Sequence, residues 1–153
     1  MINKILFIAE VSSNHNANLK RCLKFIDAAK KIGCDAVKFQ LFKIDELFHN
    51  SILEKRNDIK KRKKWELPLK FIKIISQHCK KKKILFGCTP FYLDAVDQLY
   101  PYVDFFKIAS YEILWDDLFI KCIKKNKPII FSTGMANKNE IIKKINLFKK
   151  YNF

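Results

Sequence analysis

The sequence predicts a parallel α/β fold whose functional site lies at the carboxyl ends of its strands. Three observations carry this. Five apolar runs of strand length, ILFIAE, DAVKFQ, ILFGC, DFFKI and PIIF, recur along the chain. Segments between them repeat their apolar residues at helical rather than strand spacing. Each run ends in polar or charged residues: Glu10 followed by SSNHN, then Lys38, Thr89, Lys107 and Ser132. Strands alternating with helices imply right-handed crossovers and a parallel sheet, and in such sheets ligands bind outside the carboxyl ends of the strands.

Taken in order, residues 5–10 read as a buried strand, and residues 18–31 as an amphipathic helix with Leu19, Cys22, Leu23, Ile26 and Ala29 on one stripe and Gly33 just past its end. Residues 35–40 are the second strand. A long charged insertion follows over 42–64, expected to be a loop with a partly helical middle; excursions at this place often serve as functional lids. Residues 65–82 form the next helix, with Pro68 near its first turn and Phe71, Ile74, Ile75 and Cys79 as its apolar face. Strands over 84–88, 104–108 and 129–132 then alternate with helices over 92–99, 116–125 and 137–150.

Composition narrows the class. The 153 residues are 49% hydrophobic and 14% aromatic, sufficient for one domain with a core of its own. The chain has no uncharged apolar run of membrane-spanning length, and the segment before Glu10 is too short for a secretory leader, which places the protein in the cytoplasm. Five cysteines, an odd number without a CxxC pair, sit in apolar patterns as reduced core residues. The net charge of +16 suits an anionic partner, but its lysines gather in solvated runs at 55–64, 80–83 and 143–150 rather than interleaving with aromatics.

The strings FIAEVSSNHN, GCDAVKFQ, CTPFYLDAVDQL, FFKIASYEI and KPIIFSTGMANKNEI resemble, in order and spacing, the N-terminal half of the sialic acid synthase family, which includes the N-acetylneuraminate, legionaminate and pseudaminate synthases. The resemblance covers nearly the whole chain. It implies a (β/α)8 TIM-barrel type of fold, here truncated to about five βα units. It also implies condensation of phosphoenolpyruvate with an N-acetylated amino sugar, such as N-acetylmannosamine, to a nonulosonic acid for surface polysaccharide. The enolpyruvate C3 attacks the aldehyde carbon, water adds at C2, and phosphate leaves by C–O cleavage. A divalent metal, manganese or magnesium, is implied for the complete enzyme, and family members pair as homodimers.

Site residues follow by resemblance. Lys38 and Lys107 bind phosphoenolpyruvate; a lysine at the end of an apolar strand run is costly unless it meets an anion, the alternative being a lysine that snorkels to the surface. Thr89, Ser110 and Ser132 add hydroxyl or backbone contacts to the same ligand, or cap helices. Glu10 hydrogen-bonds the sugar hydroxyls, its alternative being a carboxylate paired with a neighbouring lysine. Glu112 stands near the metal and the reacting carbons, for water positioning or proton transfer. Phe91 packs against the sugar or is plain core. Asn14 and His15 are site-forming loop residues without a fixed role, and His49 and His78 are surface or helix residues.

Where the family usually carries glycines after the first strand and in the fourth motif, Ser12, Ala17 and Tyr111 stand here, and Tyr111 is expected to narrow the pocket or alter the sugar preference. The resemblance places the metal-binding histidines on the sixth and seventh strands, so no metal ligand is assigned to this chain. The last barrel strands and a C-terminal antifreeze-like domain are likewise expected to be absent. A complete barrel takes about 250 residues, so a five-strand arc leaves open edges and an uncovered interior, and is expected to be poorly soluble or to need a complementary C-terminal fragment. Three readings stay open: part of a split or shortened synthase, an inactive remnant that retains phosphoenolpyruvate affinity, and a basic nucleic-acid-binding module, against which stands the lack of any nucleic-acid motif.

Overall fold

The computed structural model describes residues 5–153. Five parallel strands, β1 (Ile8–Ser12), β2 (Ala36–Leu41), β3 (Leu85–Pro90), β4 (Phe105–Ile108) and β5 (Ile129–Phe131), pair in sequential order in one sheet. Helices fill the crossovers: α1 (Leu19–Lys31), then α2 (Ile44–Leu47), α3 (Asn50–Lys55) and α4 (Asn57–Lys60) in the insertion, and α5 (Leu69–Lys82), α6 (Leu93–Leu99) and α7 (Asp116–Ile123); α8 (Lys138–Lys150) follows β5.

Strand alternation divides the sheet into two unlike faces. Val37, Phe39, Leu41, Phe86, Cys88, Phe106 and Ile108 point into the helical layer and form the main core with Cys22, Ile26, Ile75, Cys79, Leu118 and Phe119. The intervening positions form the opposite face. It is apolar toward the strand starts, with Ala36 and Phe105 buried but Leu85 and Ile130 exposed, and polar toward the strand ends.

Several boundaries differ from expectation for identifiable reasons. The first strand begins at Ile8 rather than at residue 5, because Ile5, Leu6 and Phe7 are largely exposed and Phe7 is tied to Asp35 by its N–H at 3.0 Å. The insertion is more helical than a loop: α2 to α4 and a 3-10 turn over Lys61–Trp65 close around a small core of their own, Phe42, Ile44, Leu53 and Ile59. α5 starts at Leu69 with Pro68 as its N-cap residue, and it buries Ile72, Ile75, Ser76 and Cys79, leaving Ile74 exposed. The hydroxyl of Ser76 donates to Tyr102 O at 2.8 Å, which lets a polar residue occupy the buried stripe. Within the last lysine run Lys144 is not solvated; it is buried, lies over the Phe119 ring and pairs with Asp116. Side-chain caps fix the starts of α1 and α8: Asn18 accepts from the Arg21 N–H, and Asn137 with Glu140 forms a capping box. Cys22, Cys79, Cys88 and Cys122 are buried free thiols, pushed up by desolvation, as small core residues would be. No described helix is long and apolar enough to cross a membrane.

Candidate active site

The polar end of the open face is assembled by register. Glu10 and Lys38 are Cα partners across β1 and β2, Lys38 is level with Gly87, and Gln40 with Thr89. Lys38 forms an ion pair with Glu10 and donates to Thr89 Oγ1 at 3.4 Å, so two strand-end residues and a hydroxyl from the third strand meet at one ammonium. A bulge follows Glu10. Ser12, at φ 51°, turns its N–H back onto Glu10 Oε1 at 2.9 Å, and the Gln40 amide approaches the same oxygen at 3.5 Å.

On the other flank Lys107 donates to Ile108 O at 2.7 Å and to Ser132 Oγ at 2.5 Å. Burial pushes the Lys107 ammonium below its ordinary value and the neighbouring Lys38 adds to that, while Glu10 and Glu112 oppose it. Lys107 therefore lies within electrostatic reach of Lys38, Glu10 and Glu112. Glu112 sits on the 3-10 turn Ser110–Glu112 after β4. Its Oε2 is buried with no hydrogen-bond partner, and burial holds its carboxyl above the ordinary 4.5. Ser110 packs against the loop after β5, where a methyl group added at Gly134 would lie 3.4 Å from the Ser110 Cβ.

Sequence reasoning thus named five residues that the fold gathers at one end of one face, Glu10, Lys38, Thr89, Lys107 and Ser132, with Glu112 on the turn after β4. Neither Thr89 nor Ser132 caps a helix. Thr89 is a buried strand residue, and Ser132 prolongs the β4–β5 ladder through its N–H to Ile108 O at 3.0 Å. The others stand apart. Phe91 packs edge-on against Phe42 at 6.2 Å beside the insertion core. Asn14 is exposed and closes its turn by donating from Nδ2 to Val11 O at 3.1 Å. His15 is fully buried, 6.3 Å from the Phe39 ring on the helix side of the sheet; its Nδ1 accepts from the Ala17 N–H at 2.9 Å, its Nε2 has no partner, and burial lowers its pKa. Tyr111 is 79% exposed. His49 caps α3, and His78 pairs with Asp27 across α1 and α5. Gln40 was not singled out from the sequence, and its signal was there: it lies two residues after Lys38, on the same face of the strand.

Among the described residues no group of three or more histidine, cysteine, aspartate or glutamate side chains is arranged to hold a metal ion. Glu10 is paired with Lys38, and Glu112 is half-buried on its turn with one oxygen enclosed. These residues alone do not fit a divalent cation.

Residues 25–152 match the NeuB family. The N,N'-diacetyllegionaminic acid synthase of Campylobacter jejuni is 38% identical to this chain over 97% of its length, and covers it with 48% of its own. A pseudaminic acid synthase of the same organism is 37% identical over 96% of the chain and 46% of that protein. The crystal structure of N-acetylneuraminic acid (sialic acid) synthetase from Leptospira borgpetersenii, in complex with citrate, superposes with a TM-score of 0.90 at 30% identity, over 98% of this chain and 52% of that one. The chain spans about half the length of the curated relatives it matches.

Proposed function

From the premise that the chain belongs to the NeuB family, we propose that it carries the phosphoenolpyruvate-binding half of a sialic-acid-type synthase, which condenses phosphoenolpyruvate with an N-acetylated amino sugar to a nonulosonic acid. The observation that carries this reading is the pair of partly buried lysines, Lys38 and Lys107, on one face at the ends of alternate strands, each beside a hydroxyl, Thr89 or Ser132. Two ammonium groups out of bulk water attract a phosphate and a carboxylate far more strongly than surface lysines would, and a ligand carrying both anions is held in one orientation.

Roles then follow from position. Lys38 and Lys107 hold the anion, and Thr89, Ser110 and Ser132 orient it. Glu10, the more exposed carboxylate, receives sugar hydroxyls, with Phe91, Asn14 and His15 shaping the surrounding loops. Glu112, with burial favouring its protonated form, is suited to pass a proton between water and the reacting carbons. The sheet is read as an arc of a (β/α)8 barrel. A complementary C-terminal fragment would supply the remaining strands and the ligands of a divalent metal, and the complete enzyme would act as a cytoplasmic homodimer.

The test is titration of phosphoenolpyruvate into the wild-type chain and into Lys38→Ala and Lys107→Ala, followed by phosphate release in the presence of N-acetylmannosamine, N,N'-diacetylated sugars and a co-expressed C-terminal half from a relative. Each alanine variant should weaken binding at least tenfold, and turnover should need both fragments. Unchanged affinity in both variants would remove the basis of the proposal.

A further inference from the structure

Glu10 and Lys38 make an ion pair at the point where the anion is to bind, and their surroundings differ. The Lys38 side chain is 13% exposed and the Glu10 side chain 42%. One carboxylate oxygen, Oε1, is anchored to the strand frame by the Ser12 N–H and the Gln40 amide, whereas Oε2 holds only the lysine. At Lys38 the charges already balance, one ammonium against the Glu10 carboxylate. An anion entering a balanced cluster gains little, since each carboxylate left in place cancels an ammonium. Glu112 is partly buried on its turn with one oxygen fully enclosed, so Glu10 is the carboxylate with room to turn.

Resting on the function proposed above, we infer that Glu10 is a carboxylate gate on the anion site, displaced from Lys38 when the anion binds. The step is an exchange of hydrogen-bond partners. Lys38 passes its N–H from Glu10 Oε2 to the anion, Glu10 keeps Oε1 on Ser12 and Gln40, and the released Oε2 becomes an acceptor for a hydroxyl. The exchange couples the two ligands: the anion frees Oε2 for the hydroxyl, and by linkage each ligand tightens the other.

Calorimetric titration of inorganic phosphate into the full chain tests the gate, using wild type, Glu10→Gln, Glu10→Asp and Lys38→Ala, with thermal unfolding to verify that each is folded. Glutamine removes the charge. Aspartate keeps it but draws the carboxylate back by one methylene, which weakens its hold on Lys38. The exchange predicts that Glu10→Gln binds phosphate about two- to fivefold more tightly than wild type, the range of a lost charge pair, with Glu10→Asp between the two. Wild-type affinity in Glu10→Asp beside a gain in Glu10→Gln overturns the gate, because charge at a distance then explains the effect. Unchanged affinity in both, with loss in Lys38→Ala, also overturns it and leaves the anion site standing. Equal phosphate binding by wild type and Lys38→Ala overturns the anion site itself and the gate with it. Failure of saturating phosphate to tighten N-acetylmannosamine binding overturns the coupling.

Discussion

The two faces of the sheet are built from the same five strands and obey opposite rules. On the helix side every position from Val37 to Ile108 is apolar and nearly inaccessible, so burial there serves folding alone. On the other side Leu85 and Ile130 are exposed at 43% and 36%, while two lysines and their partners occupy the strand ends. Adjacent residues of one strand therefore belong to different surroundings: Phe106 to the packed core, Lys107 to the proposed anion site. Alternation with a period of two is what lets a short strand do both.

The comparison breaks most visibly at that neighbouring pair. Phe106→Ala removes a fully buried ring from the core, and urea unfolding should record a loss of about 3–5 kcal/mol. Lys107→Ala should stay within about 1 kcal/mol of wild type, since deleting a partly buried ammonium also removes the cost of its burial, while phosphate affinity collapses. Similar destabilisation by both variants would mean that the open face also holds the fold together.

Gly87 offers a smaller effect on the open face itself. A methyl group there would come within 2.1 Å of the Phe105 ring, which lies across the glycine and is itself buried. Gly87 lies within β3, where alanine suits the backbone, so Gly87→Ala isolates the steric effect. Overpacking of this kind costs about 1–3 kcal/mol. Because Phe105 precedes Lys107 by two residues on the same face, the displaced ring should also weaken phosphate binding. A loss of stability with unchanged binding would separate the apolar floor from the polar rim.

Strand positions and the charged strand ends were legible because they depend on local pattern: an apolar run, then Lys38 or Lys107. Boundaries were less so, and the reason lies in the glycines. With only three in the chain, the turns that glycine ordinarily marks are made by Ser12, Asn16, Ala17, Lys83, Asn126, Met135 and Asn152, all at positive φ. Lys83 ends α5 in the left-handed conformation inside a run of lysines, where nothing in the sequence distinguishes it from its neighbours. Lys144 was hidden in the same way, since its burial depends on Asp116 and Phe119 from another helix. The placement of His15 on the helix side of the sheet was equally beyond a local reading, being set by the bulge and the tight turn after Glu10.

His15 and Glu112 give the finest contrast between the faces, because burial moves them in opposite directions. Each is desolvated and each has one polar atom without a partner. For His15 burial disfavours the imidazolium, so its folded pKa lies below the ordinary 6.5. The unfolded chain then binds the proton first, and stability falls as pH drops through 6.5 toward the folded value. For Glu112 burial disfavours the carboxylate, so its folded pKa lies above 4.5, and stability falls as pH rises from 4.5 through the folded value. His15→Asn keeps an acceptor for the Ala17 N–H while removing the titration, and should flatten the acid side of the stability profile. Glu112→Gln should raise stability near neutrality and leave the acid side alone. Urea midpoints collected from pH 4 to 8 would separate the two slopes, the first belonging to the packed face and the second to the face where chemistry is proposed. A Glu112→Gln protein no more stable than wild type at pH 7 would mean that Lys107 already compensates the buried charge, which would tie Glu112 to the anion site rather than to proton transfer.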